Sequence, residues 1–130
     1  MSVHYEAVGA VVTVTIDRPE VRNAVDADTA AELADCFRRF EADEKLAAAV
    51  LTGAGGTFCA GYDLKSMASG APDRLSEDGD GPMGPTRLVL DKPVIAAMTG
   101  LSRTMRVGPI GPSPSSPSRS GAPEAINFRS

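Results

Sequence analysis

Gly53-Ala54-Gly55-Gly56-Thr57-Phe58-Cys59-Ala60-Gly61-Tyr62-Asp63-Leu64 follows the apolar run Ala47-Ala48-Ala49-Val50-Leu51-Thr52. A buried strand therefore empties into a glycine-rich loop and then into a short helix. That layout builds an anion or oxyanion site. N–H groups at such a turn and at a helix N-terminus lack internal partners, and they point at whatever negative oxygen stands before them. Gly53, Gly55 and Gly56 let the main chain approach a ligand with no Cβ in the way. On pattern alone, a plain tight turn explains the stretch equally well. A P-loop is excluded, since no Gly-Lys-Ser/Thr follows, and a dinucleotide fingerprint fits poorly because its third glycine is misplaced.

Upstream, residues 4–8 and 11–16 read as the two strands of a hairpin turning at Gly9-Ala10, the second a β-branched run. Asp26 or Asp28 can cap the helix that follows, and Thr29 with Glu32 has the spacing of a capping box. Leu33, Cys36, Phe37 and Phe40 recur at helical spacing and predict a core-facing stripe, with Arg38, Arg39, Glu41 and Asp43 in solvent. Residues 47–52 read as a strand buried on both faces. Downstream, 64–69 predicts a short helix, 70–84 a polar, acidic Gly/Pro loop, 85–90 a helical turn and 94–98 the next strand. Strand, strand, helix, strand, helix, strand is the order of an α/β unit with helices laid outside its strands.

The chain's 130 residues suffice for a modest single core. No hydrophobic run reaches transmembrane length, and Met1-Ser2-Val3-His4-Tyr5-Glu6 lacks the basic and apolar regions of a signal peptide, so a cytoplasmic location is expected. Cys36 and Cys59 have no metal-ligand spacing and are expected as packed, reduced thiols. Residues 1–100 hold 9 basic and 16 acidic side chains, whereas 101–130 hold 4 basic and 1 acidic. An acidic body argues against nucleic acid, which needs a basic face for its phosphates. The segment 101–130 also holds 7 Ser, 5 Pro and 3 Gly with few large apolar residues. It cannot bury enough apolar surface to offset its ordering entropy and is expected to be a disordered tail, a proline-rich partner ligand being the alternative.

Two further motifs frame the glycine-rich one. Thr15-Ile16-Asp17-Arg18-Pro19-Glu20-Val21-Arg22-Asn23-Ala24-Val25 ends a strand, turns at proline and enters a helix, and Asp91-Lys92-Pro93-Val94-Ile95-Ala96-Ala97-Met98 launches a buried strand. With the Phe58-to-Leu64 segment they resemble, in order and spacing, the N-terminal part of the crotonase superfamily, the enoyl-CoA hydratases and isomerases, across residues 3–100. The resemblance implies a partial crotonase-like α/β fold of the ββα spiral type, its N-terminal half only. It implies acyl-CoA as substrate and partner, coenzyme A entering as part of that substrate, with no separate cofactor, no metal, no nucleic acid and no membrane. Family members are homo-oligomers, trimers or hexamers.

The resemblance also implies a site. The backbone N–H of Tyr62 becomes the first of two donors that hold the thioester oxygen, so that enolate charge is stabilised where it forms. Glu20, Val21, Arg22 and Ala24 are placed along the CoA, and Ala60, Gly61, Tyr62, Asp63 and Leu64 around its adenine and pantetheine, largely through backbone groups. Arg22 is either a bidentate phosphate contact or a solvated loop arginine, and Glu20 stands where a basic residue is often found. Asp63 suits an N-cap for the helix beginning near Leu64. His4 reads as a surface residue on an edge strand, and Glu77, Asp78 and Asp80 as a solvated acidic cluster.

Where the family continues past Thr99-Gly100 into a strand and a second glycine-rich helix start, this chain has Leu101-Ser102-Arg103-Thr104-Met105-Arg106, which matches nothing there. The second donor and the acid–base glutamates of the hydratases lie past that point. The resemblance therefore implies a truncated or frameshifted member of little activity, since a shifted frame in GC-rich DNA produces such Arg/Pro/Ser/Gly-rich tails. Its ancestral chemistry is hydration of a 2-enoyl-CoA, or an isomerisation or hydrolysis through the same enolate. Two other readings stand beside it. One is a non-catalytic module that pairs with a full-length relative through helices and edge strands; the other is a stand-alone Gly-rich anion-binding domain.

Overall fold

A run of β-branched residues, Val11 to Ile16, builds the second strand of the sheet. The computed structural model describes residues 1–70, 81–98, 100 and the backbone of 124–126. β1 (Val3–Val8) and β2 (Val11–Ile16) form an antiparallel hairpin around Gly9, whose φ of 60° is a left-handed turn value. Val12, Val14 and Ile16 are buried while Thr13 and Thr15 are half-buried, the alternation of a strand with one face on the core. β1 starts one residue before the expected 4–8. Glu32 accepts hydrogen bonds from the N–H groups of Ser2 at 3.5 Å and Val3 at 3.0 Å, which ties the start of β1 to the following helix.

That helix, α1 (Ala27–Ala42), carries the chain from β2 to β3 (Ala48–Gly53), which lies parallel to β2. Parallel neighbours need such a crossover. Of the two candidate caps Asp26 is the one used, its side chain accepting the Thr29 N–H at 2.8 Å. The capping box between Thr29 and Glu32 does not form, because Glu32 is spent on Ser2 and Val3. Leu33, Phe37 and Phe40 join Val12, Val14, Ile16, Leu51 and Phe58 in one core. Cys36 sits half-buried at its margin, where burial pushes the thiol up from its usual range.

The sequence puts Glu41 in solvent, yet it is half-buried and accepts the N–H groups of Asp91 at 2.8 Å and Lys92 at 3.4 Å. Lys92 Nζ in turn donates to the carbonyls of Phe40 at 3.0 Å and Asp43 at 2.5 Å. A cation on the last carbonyls stabilises a helix C-terminus, so this segment is clamped to α1 just before β4 (Val94–Ala96) joins β3 in parallel.

β3 is buried on one face through Ala49 and Leu51 and half-buried on the other through Ala48, Val50 and Thr52, so two-sided burial holds for one face only. β4 stops at Ala96 rather than Met98, although Ala97 still donates to the Leu51 carbonyl at 2.8 Å. β5 (Glu124–Ile126) pairs antiparallel with β4, a strand too short for any periodicity to announce. The sheet order is β1-β2-β3-β4-β5, and α2 (Leu64–Ala68) follows the glycine-rich loop. The fold is thus α/β. Expectations for 71–80, including Glu77, Asp78 and Asp80, and for the tail beyond 100, β5 apart, lie outside the described residues. Among the described residues no helix is long and apolar enough to cross a membrane.

Candidate functional site

β3 delivers the chain to Gly53, where a side chain has no room. A Cβ there would run into the carbonyl oxygens of Thr57 and Phe58 and stand 2.7 Å from Asn23 Nδ2. The loop therefore folds back directly over the end of the strand. The second loop, 18–25, opens with the turn Pro19–Val21 and then places Arg22 and Asn23 in left-handed conformations, with φ of 54° and 58°. Asn23 is fully buried. Its Oδ1 accepts the Arg18 N–H at 2.8 Å, and its Nδ2 donates to the carbonyls of Ala54 at 2.8 Å and Thr57 at 2.6 Å. One amide side chain rivets the two loops together.

Backbone bonds complete the seam. Ala60 donates to the Arg22 carbonyl at 3.0 Å, Val25 to Gly61 at 2.8 Å and Asp63 to Val25 at 2.8 Å, an isolated parallel bridge between Val25 and Tyr62. Gly61, at a φ of 101°, turns its N–H to Cys59 Sγ at 3.3 Å. With the N–H groups of Ala60, Gly61 and Asp63 engaged, the N–H of Tyr62 has no partner among the described residues. Cys59 itself is buried, and burial raises its thiol, which disfavours the nucleophilic thiolate.

Asp63 caps α2 as its sequence position suggests: Oδ1 accepts the Ser66 N–H at 3.2 Å. Its Oδ2 meets Arg18 Nη2, also at 3.2 Å, and the same nitrogen lies 3.2 Å from Asp26 Oδ2. Arg18 Nη1 donates to the Ala24 carbonyl at 2.6 Å. The Arg18 side chain is only 15% exposed, so a semi-buried guanidinium joins the caps of both helices. Burial pushes the Asp26 carboxyl up, but the Thr29 bonds and the Arg18 charge outweigh it and hold it below the ordinary range.

The residues expected along a ligand fall into two groups that this seam sets side by side. Glu20 and Arg22 are exposed, Val21 is half-buried and Ala24 buried; Ala60, Gly61 and Tyr62 are half-buried, Asp63 buried and Leu64 exposed. His4 stands on the edge strand with Nε2 2.7 Å from Asp17 Oδ2, both side chains in solvent. Sequence reasoning passes over Arg18 and Asn23. The only signal for either is local: an asparagine tolerates a left-handed backbone, and an arginine precedes the proline of the turn.

The sequence pattern of the enoyl-CoA hydratase/isomerase family matches residues 6–104. The carnitinyl-CoA dehydratase of Proteus mirabilis (strain HI4320) is 44% identical over 101 residues, covering 76% of this chain and 38% of that protein. Its Escherichia coli K12 counterpart is 45% identical over 102 residues, with the same coverage. Among solved structures, an enoyl-CoA hydratase from Mycobacterium tuberculosis H37Rv superposes with a TM-score of 0.69 at 39% identity, over 76% of this chain and 38% of that one. A carnitinyl-CoA hydratase from Mycobacterium avium gives 0.69 at 37%, over 75% and 38%. The chain thus spans 38% of the length of the curated relatives it matches. On the extent of these matches, the chain belongs to the enoyl-CoA hydratase/isomerase family.

Proposed function

We propose that this chain binds the CoA thioester of an acyl group, with the thioester oxygen on the Tyr62 N–H. The CoA runs along the seam that joins Glu20, Val21, Arg22 and Ala24 to Ala60, Gly61, Asp63 and Leu64. The observation that carries this reading is the Tyr62 N–H, without a partner among the described residues while the N–H groups on both sides of it are engaged. A donor held in advance stabilises charge where an enolate oxygen forms, worth about a hundredfold to a thousandfold in rate. The names of the relatives, a carnitinyl-CoA dehydratase and an enoyl-CoA hydratase, support addition or removal of water at a CoA thioester as the reaction class. Asp26 and Asp63 are held by Arg18 and by the N–H groups they cap, so neither is offered as the general acid or base. A hydration that lacks such a group forgoes about a hundredfold to ten-thousandfold in rate.

The test is a titration with butyryl-CoA followed in ¹H–¹⁵N correlation spectra. The Tyr62 amide proton should move to lower field, whereas free CoA should perturb residues 20–22, 24, 60, 61, 63 and 64 without that shift. A Tyr62 amide that stays put at saturating butyryl-CoA overturns the proposal.

A further inference from the structure

Arg18 lies outside the set of residues proposed to touch the ligand, yet it bonds to both of the loops that bracket the Tyr62 N–H. Its own N–H bonds to Asn23 Oδ1, which grips the glycine-rich loop through Ala54 and Thr57. Its guanidinium reaches the Ala24 carbonyl, the Asp26 cap of α1 and the Asp63 cap of α2. Asp63 directly follows Tyr62, and its N–H forms one of the two bonds that bracket that residue. Both carboxylate oxygens lie 3.2 Å from a single Arg18 nitrogen, hence within twice that distance of each other, and side-chain exposures of 11% and 23% leave water little room to screen them. Without the cation, two partly buried like charges would repel across the seam.

We infer that Arg18 is a positioning residue whose guanidinium, bridging the capping carboxylates of the two helices through one arm and holding the Ala24 carbonyl with the other, sets the direction of the Tyr62 N–H toward a thioester oxygen. The inference rests on the acyl-CoA reading above. Only a planar fork reaches the Ala24 carbonyl and both carboxylates at once; lysine brings a single point charge.

The experiment reads the carbonyl itself. Butyryl-CoA labelled with ¹³C at the thioester carbonyl is bound to the full chain, and the infrared stretch of the bound carbonyl is compared with that in water. Hydrogen bonding from Tyr62 lowers that frequency in the wild-type chain. Arg18→Met should lose most of the downshift and Arg18→Lys should recover only part of it. Asp63→Asn keeps an N-cap side chain for α2 while breaking the ion pair, so it should also reduce the downshift and decides the matter if Arg18→Met fails to fold. Melting temperatures are recorded alongside, because a residue that only stabilises the fold would lower these without moving the frequency of the bound carbonyl. No downshift in the wild-type chain means that the Tyr62 donor reading has failed, and this inference with it. A wild-type downshift retained in full by Arg18→Met, or by Asp63→Asn where the methionine variant does not fold, overturns the role of Arg18 alone.

Discussion

Arg22 and Asn23 share one backbone conformation and carry opposite burdens. Both sit at positive φ, where glycine is at ease, so strain alone predicts that glycine improves either position. Arg22 is exposed, and Arg22→Gly should change stability by no more than about 0.5 kcal/mol. Asn23 is buried with three hydrogen bonds, and Asn23→Gly leaves the Arg18 N–H and the Ala54 and Thr57 carbonyls without that partner, a loss of about 3 kcal/mol. Denaturant unfolding of the two variants checks the contrast, and equal effects would show that backbone strain rather than bonding governs the turn. Gly53→Ala tests the other side of the same seam: its Cβ has no space between the Thr57 and Phe58 carbonyls, so a loss of at least about 2 kcal/mol is expected by the same measurement. The glycine-rich loop announces itself in sequence because its composition is local. Asn23 does not, because the carbonyls it binds lie 31 and 34 residues away.

At the scale of elements, the legible features are those whose cause lies within a few residues. Asp26 and Asp63 each sit one position before a helix and cap it, and the β-branched run Val11–Ile16 coincides with β2. Glu32 and Glu41 are not legible locally, since what draws them from helix cap and solvent is the backbone of Ser2, Val3, Asp91 and Lys92, which only the tertiary fold brings near. The Asp26 cap makes α1 responsive to acid. Its carboxyl is ionised more readily in the folded chain than at the ordinary value of 3.8, so it favours the fold above that pH and its contribution disappears as pH falls through the lower folded value. Asp26→Ala should cost about 1 kcal/mol near neutrality. Asp26→Asn retains a capping oxygen but not the titration, and its melting temperature should drop less steeply than that of the wild-type chain as pH is lowered below about 4. Parallel acid limbs for the two proteins would remove Asp26 from the explanation.

For the molecule as a whole, the two faces of the sheet differ. Residues Val3, Val12, Val14, Ile16, Ala49, Leu51, Val94 and Ala96 share one core with Leu33, Phe37 and Phe40 of α1. The alternate positions are less covered: Val50 and Ile95 are half-buried, and Val8 and Val11, paired across the hairpin, are 75% and 41% exposed. Local pattern could not reveal this asymmetry, because an all-apolar run such as Ala47 to Leu51 reads alike whether one face or two are covered. β1 also ends the strand order, so its outer edge pairs with no further strand among the described residues. An exposed apolar pair beside a free strand edge favours association between copies of the chain. Size-exclusion chromatography with light scattering should therefore show an average mass that rises with concentration. The double substitution Val8→Lys and Val11→Lys should return it toward the monomer, because charge at a strand edge blocks edge-to-edge pairing, while the melting temperature changes little because neither side chain is buried. A wild-type chain that elutes as a single monomeric species at every concentration, and melts cooperatively, would show that the half-covered face and the free edge need no partner.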